Sequence, residues 1–186
     1  LRFFFPGVGY GGSCFPKDVK ALITTAEQAG MPLTILDAVE VVNASQKRLF
    51  VEKIRKRFGS DLSGMKFAIW GLSFKPETDD MREAPSLVII EGLLSMGAEV
   101  AVYDPEAMTE ASHVLGDSVI WADNSIGALD GADALVLVTE WHEFKNPKWT
   151  EVTASMRQKI VFDGRNIYDP ESMRSMGYEI HSIGRP

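Results

Sequence analysis

The sequence predicts an α/β fold, with a Rossmann-like parallel sheet over residues 61–186 preceded by a helical segment within residues 1–60. Three observations predict it. Beyond residue 61, short apolar runs alternate with helix-forming stretches, the pattern of parallel strands wrapped by crossover helices. Residues 17–58 carry helical punctuation throughout. Between the two, Phe58-Gly59-Ser60-Asp61 breaks the rhythm.

Residues 17–29 have helix-forming composition, begin after Pro16 and stop at Gly30, where a C-terminal glycine belongs. Pro32 opens a longer helix running to residue 57. Leu36, Val39, Val42, Leu49, Phe50 and Ile54 lie on a stripe at roughly the 3.6-residue period, with Glu40, Lys47, Arg48, Glu52 and Lys56 mostly elsewhere. Strands are then expected at residues 66–70, 99–103, 119–121, 134–138, 159–162 and 178–181. Helical stretches are expected near 86–96, 106–114, 125–129, 150–156 and 171–176. Asp80 and Glu83 have the spacing of N-terminal capping residues and Pro85 suits a first helical turn, so the run from Asp79 to Glu83 reads as a helix start.

The 186 residues are 45% hydrophobic and 24% charged, an ordinary composition for a soluble globular chain. A net charge of −7 argues against a broad nucleic-acid-binding surface, which concentrates Lys and Arg on one face. A lone cysteine forms no internal disulfide, and no apolar run is long enough to span a membrane, so a cytoplasmic protein is expected. Leu1 is not an initiator methionine and Phe3-Phe4-Phe5 leads straight into a glycine cluster, so the sequence is expected to be a piece of a longer protein. Three scattered histidines and one cysteine make no spaced cluster, and no metal site is expected.

Gly7-Val8-Gly9-Tyr10-Gly11-Gly12 fits the dinucleotide fingerprint letter by letter but not in context. The fingerprint needs a strand before it, a helix directly after it and an acid about 20 residues on. Here Pro6 interrupts the approach and Ser13-Cys14-Phe15-Pro16 precedes the helix. Four glycines instead let the backbone run close to a ligand and deliver Cys14 to a helix start. There the macrodipole and Lys17 favour a thiolate. Asp18, at i+4, lies on the same side of that helix. The alternative is that Cys14 is a small buried hydrophobe.

In open parallel sheets, ligands sit beyond the carboxyl ends of the strands, near a topological switch. Phe74-Lys75 follows the first strand, Thr139-Glu140-Trp141 the fourth and Asp163-Gly164-Arg165 the fifth. Lys75 and Arg165 could there compensate a diphosphate, with Phe74 offering a face to a sugar or base. Asp104, after the second strand, stands where a Rossmann domain keeps its ribose-binding acid. Asp104-Pro105 is also adequately explained as a turn.

The uninterrupted segment Phe5-Pro6-Gly7-Val8-Gly9-Tyr10-Gly11-Gly12-Ser13-Cys14-Phe15-Pro16-Lys17-Asp18-Val19 resembles the active-site segment of the UDP-glucose/GDP-mannose dehydrogenase family. Gly71-Leu72-Ser73-Phe74-Lys75-Pro76, Thr78-Asp79-Asp80-Met81-Arg82-Glu83 and Asp163-Gly164-Arg165-Asn166 resemble later blocks of the same family, in order. The resemblance implies NAD-dependent, four-electron oxidation of a nucleotide sugar at C6, UDP-glucose to UDP-glucuronate by preference, through a thiohemiacetal and then a thioester on Cys14. GDP-mannose and UDP-N-acetylhexosamine are the alternative substrates. Asp18 would help handle the hydrolytic water or its proton. Phe5, Pro6, Gly7, Val8, Gly9, Tyr10 and Gly11 would line the substrate with Phe74, Lys75 and Arg165, while Cys14, Phe15, Pro16, Lys17 and Arg82 would face NAD. The family's NAD-binding domain would precede Leu1, so residues 1–186 alone are expected not to turn over. The helix over residues 32–57 would form the core of a homodimer; equally, its stripe could pack only within its own chain. A rival from another class is a non-catalytic nucleotide-sugar-binding or oligomerisation module in which Cys14 is inert. A cysteine hydrolase is disfavoured because no histidine is nominated as its base.

Overall fold

The structure is a computed structural model that describes residues 6–185. Helix α1 (Phe15–Gln28) starts on a proline in its first turn and ends where Gly30 takes φ +71°. Helix α2 (Thr34–Phe58) carries Arg55, Lys56 and Arg57 in its last turn, where cations complement the macrodipole, and stops at Gly59. The strands are β1 (Lys66–Trp70), β2 (Glu99–Tyr103), β3 (Ile120–Trp121), β4 (Ala134–Leu137), β5 (Ile160–Asp163) and β6 (Glu179–Ser182). They form one sheet in the order β3-β2-β1-β4-β5-β6, with every pairing parallel. The order reverses between β1 and β4, which places the topological switch there. Helices α3 (Pro85–Ser95), α4 (Met108–Leu115), α5 (Ser125–Ala128), α6 (His142–Lys145), α7 (Trp149–Ser155) and α8 (Pro170–Ser175) fill the crossovers. The α/β class and the positions of the six strands, each within a residue or so, agree with the sequence expectation. The four-residue α6 was not foreseen, being too short to show a period.

Both sheet faces are covered, and the side-chain alternation of a strand sorts residues between them. Phe67, Ile69, Ala134 and Val136 join Phe50 and Ile54 of α2 and Ile89, Ile90 and Leu93 of α3 in one core. Ala68, Trp70, Leu135 and Leu137 join Phe144, Val152 and Tyr168 in the other. Phe50 meets Phe162 of β5 edge-on, ring centroids 6.4 Å apart. The downstream half of α2 is therefore part of the sheet core.

The upstream half departs from the expected stripe. Val42 and Leu49 are exposed (64% and 55%), whereas Asn43 and Lys47 are buried. The physical reason is the neighbour: this stretch of α2 faces the backbone of the glycine loop, which asks for hydrogen-bond partners. Among the described residues no helix is long and apolar enough to cross a membrane.

Candidate active site

The glycine loop lies across the carboxyl edge of the sheet, and its glycines are required by different neighbours. A Cβ on Gly7 would stand 2.6 Å from Arg165 Nη1, one on Gly11 2.4 Å from the Glu83 carbonyl oxygen, and one on Gly12 2.7 Å from the Phe74 ring. Gly9 and Gly12 also take φ +108° and +93°, a region open to glycine. Two of the loop amides are used internally: Tyr10 N–H donates to Asn43 Oδ1 at 2.8 Å and Gly12 N–H to the Arg82 carbonyl at 2.7 Å. A phosphate cradle needs such amides free, so the apparent fingerprint is not one.

Cys14 is the residue before the first turn of α1 and is exposed. Its carbonyl accepts the Asp18 N–H at 2.9 Å, and Ser13 Oγ lies 3.6 Å from its sulfur. Lys17 and Asp18 form a loose, exposed ion pair at 3.8 Å, which leaves both side chains available to a ligand. Phe15 packs edge-on to Tyr10, centroids 4.9 Å apart, and Pro16 is buried. The Tyr10 hydroxyl donates to Glu40; burial first and that carboxylate second push its pKa up. Pro6 is exposed, while Val8 is wholly buried in the core and offers a ligand only its backbone. Phe5 lies outside the described residues.

At the switch, Gly71 (φ +93°) lets β1 pass Thr139, whose Cβ would stand 2.4 Å from an added side chain. Thr139 Oγ1 donates to the Ser73 carbonyl. Asp104 is the organiser here. Its Oδ2 accepts from the Leu72 and Ser73 amides (2.6 and 3.1 Å) and from the Trp141 indole (3.0 Å). Its Oδ1 accepts from the Glu106 and Ala107 amides at 3.0 and 2.9 Å. Buried and saturated, it is no ribose acceptor; it binds the β1, β2 and β4 loops together and so presents Phe74 and Lys75. Lys75 Nζ stands 5.3 Å from the Phe74 ring centroid.

Arg165 projects from the loop after β5. Asp163, buried, accepts the Arg165 and Tyr168 amides at 3.0 and 2.9 Å; burial raises its pKa against those hydrogen bonds. Arg165 Nη2 donates to Glu140 Oε1 at 2.8 Å, and Nε lies 2.7 Å from Oε2 without hydrogen-bond geometry.

Residues 79–83 do not cap a helix as expected. Helix α3 begins at Pro85 behind Ala84, with no side-chain cap. Asp80 instead accepts from Arg82 Nε and Nη2 at 2.9 and 3.0 Å, and that hydrogen bond holds its carboxyl below the usual range. Glu83, at φ +53°, pairs with Lys20. Arg82 remains largely exposed, and its pKa is raised first by its hydrogen bond to Asp80.

Gly7, Gly11, Gly12, Phe74 and Arg165 are thus in one neighbourhood, with Cys14 and Arg82 at its rim. Asn43, Gln46, Lys47, Glu83 and Glu140 were not nominated from sequence. Polar residues at positions 43, 46 and 47, where the apolar stripe breaks between Val42 and Leu49, were the available signal for the first three. For a dinucleotide, the described residues supply a rim built on Arg82 and the exposed end of α1, and no amide cradle. They also include no group of three His, Cys, Asp or Glu side chains able to hold a metal ion.

A parallel α/β sheet with a thiol-bearing loop docked on its carboxyl edge defines a class of sheet-edge binding protein. Comparison with known proteins is more specific. Residues 68–170 match the UDP-binding domain, and residues 1–45 the central domain, of the UDP-glucose/GDP-mannose dehydrogenase family. The chain belongs to that family. It is 48% identical to a UDP-glucose 6-dehydrogenase of Pseudomonas aeruginosa and 41% identical to UDP-glucose 6-dehydrogenase TuaD of Bacillus subtilis. All of this chain is covered in both, against 42% and 40% of the relatives' lengths. A solved UDP-glucose dehydrogenase of Pyrobaculum islandicum superposes with a TM-score of 0.83 at 35% identity, covering 97% of this chain and 39% of that one.

Proposed function

We propose that this chain supplies the nucleophile and the nucleotide-sugar-binding edge of an NAD-dependent UDP-glucose 6-dehydrogenase, acting within a longer protein. The observation that carries this reading is the docking of the cysteine loop onto the sheet edge, Gly7 against Arg165 and Gly12 against Phe74. One loop then spans the distance between a diphosphate site and a thiol. The names of the relatives favour UDP-glucose over GDP-mannose or a UDP-N-acetylhexosamine.

In this reading residues 1–60 belong with a central, dimer-forming part and residues 61–186 form the nucleotide-sugar domain. Lys75 and Arg165 meet the diphosphate, the arginine turning its fork from Glu140 to phosphate oxygens. Phe74 offers its face, and the loop of residues 5–11 lines the sugar. NAD, when bound, accepts the hydride at each of the two oxidations. Cys14, Phe15, Pro16, Lys17 and Arg82 face it, with Arg82 suited to its phosphates. Cys14 attacks the C6 aldehyde as thiolate, forming a C–S bond and an oxyanion that takes up a proton; this thiohemiacetal retains the hydrogen that leaves in the second oxidation. The resulting thioester is cleaved by water, which gives one oxygen to the carboxylate while the thiolate departs. Asp18, on the same side of α1, takes the proton of that water. A thiolate nucleophile suits a reducing, cytosolic compartment. Ile35, Val42 and Leu49, exposed on α2, suit a homodimer seam.

The test is NAD reduction by the full-length protein with UDP-glucose, GDP-mannose and UDP-N-acetylglucosamine, alongside alkylation of Cys14. UDP-glucose-dependent reduction lost on alkylation supports the reading. Tight UDP binding with no reduction by any sugar would favour the non-catalytic module.

A further inference from the structure

The upstream half of α2 turns a polar face inward. Asn43 and Lys47, one helical turn apart, are only 8% and 7% exposed. Burying an amide or an ammonium is unfavourable unless hydrogen bonds replace water. Here both are directed at backbone. Asn43 accepts the Tyr10 N–H at 2.8 Å and donates from Nδ2 to the Tyr10 carbonyl at 3.2 Å, taking both backbone groups of one residue. Next to it, Gly9 stands at φ +108°, and a Cβ there would lie 2.7 Å from Asn43 Oδ1 and 3.1 Å from Lys47 Cγ. Turn and amide are fitted to each other. Gln46 adds a bond from Nε2 to the Gly7 carbonyl at 2.8 Å.

Lys47 reaches past Gly9 and donates from Nζ to the Glu83 carbonyl at 2.9 Å. Glu83 takes positive φ and is held from its other side by Lys20. Asn43 therefore grips the segment that ends in Cys14, and Lys47 grips the segment that carries Arg82. The two segments touch where Gly12 N–H meets the Arg82 carbonyl at 2.7 Å. An apolar side chain at 43 or 47 would fill the same space without the cost of burying a polar group. It could not make these bonds. What the polar residues add is the relative placement of two backbone segments.

We propose that Asn43 and Lys47 are positioning residues of the dehydrogenase, fixing from one face of α2 the loop that bears Cys14 against the segment that bears Arg82. This rests on the function proposed above, and it assigns neither residue a contact with substrate.

The experiment uses the full-length protein. Asn43→Asp retains an acceptor for the Tyr10 N–H and loses the donor to its carbonyl; Lys47→Met retains the buried stem and loses the donor to Glu83; Lys47→Arg restores a donor. A displacement of the thiol by a fraction of an ångström predicts that kcat falls about 30-fold or more in Asn43→Asp and Lys47→Met. The Kd for UDP, set at the sheet edge, stays within about threefold, and Lys47→Arg recovers to within about tenfold of the parent. Amide exchange over residues 7–12 quickens by about tenfold or more in the first two variants. Arg48→Ala, exposed and outside both segments, leaves every readout unchanged.

A kcat within about threefold of the parent in both variants overturns the proposal, as does loss of kcat and UDP affinity in parallel, the mark of a merely structural role. If the parent oxidises no nucleotide sugar, the proposed function falls, and exchange over residues 7–12 then decides the positioning role alone. Unchanged exchange overturns it; accelerated exchange upholds it.

Discussion

Replacing Asp104 removes an acceptor from five N–H groups at once. In Asp104→Ala the Leu72 and Ser73 amides and the Trp141 indole, all directed at Oδ2, lose their partner in a buried site. A stranded donor costs about 1–3 kcal/mol. Three give a gross loss of several kcal/mol, which water entering the vacated space reduces to about 3–5 kcal/mol. Asp104→Asn is the sharper probe because it keeps the shape. One amide end can serve the Glu106 and Ala107 amides, but the other then points N–H at three N–H groups, and flipping the amide moves the conflict to the other side. A loss of about 2–4 kcal/mol is expected. For a chain of this size that lowers the melting temperature by roughly 10 °C. Asp169→Asn is the control: that exposed aspartate caps α8 by accepting the Ser172 N–H, and asparagine caps comparably, within a few tenths of a kcal/mol. Chemical denaturation of the three proteins, with a UDP titration, makes the measurement. An Asp104→Asn variant within about 1 kcal/mol of the parent would refute the organiser role, and if it also lost nucleotide affinity, the ribose-acceptor reading would return.

Cys14→Ser in the full-length protein is expected to slow turnover by about three orders of magnitude or more while leaving UDP affinity in place, as kinetics and calorimetry together would show. Gly11→Ala should cost about 1–3 kcal/mol, since its Cβ would meet the Glu83 carbonyl; a denaturation midpoint equal to the parent's would contradict that close approach. Arg57 from α2, first, and then His181 hold the Glu179 carboxyl below its ordinary range. A depressed carboxylate adds stability above its unfolded-state pKa and loses it as pH falls through the folded one. Glu179→Gln should therefore cost less than about 1 kcal/mol at neutral pH, and the variant and parent urea midpoints should converge in acid. Residues 1–186 alone should bind UDP without reducing NAD, and reduction by that chain would contradict the division of labour proposed here.

What was legible in the sequence had local causes. The strands showed because apolar runs end at residues such as Gly71, Asp104 and Gly164 that cannot continue them, and α1 showed through Pro16 and Gly30. The edge residues Phe74, Lys75 and Arg165 followed from strand direction alone. The four-residue α6 has no period to read. Asp80 and Glu83 looked like caps because spacing is visible in sequence and competing partners are not: Arg82 occupies the first, and Lys20 pairs with the second. Glu140 was placed at the edge but given no role, because its partner Arg165 comes from the next strand's loop, 25 residues on.

The polar face of α2 is the instructive failure. A periodicity search asks where apolar residues recur, so Asn43 and Lys47 register as interruptions. Asn43 becomes intelligible only against a loop 33 residues upstream whose carbonyl and amide need a partner, and Lys47 only against the Glu83 carbonyl 36 residues downstream. That loop was legible, but as a glycine run near a ligand. The two readings describe one contact. Gly9 cannot carry a Cβ because Asn43 Oδ1 is already there, and Asn43 can reach both backbone groups of Tyr10 because Gly9 turns the chain toward it. Neither residue can therefore be assessed by substitution alone. Gly9→Ala and Asn43→Ala should each be costly, and their double mutant should cost less than their sum, since removing the amide makes room for the methyl group. Additive losses in a double-mutant cycle would mean that loop and helix are held by separate causes.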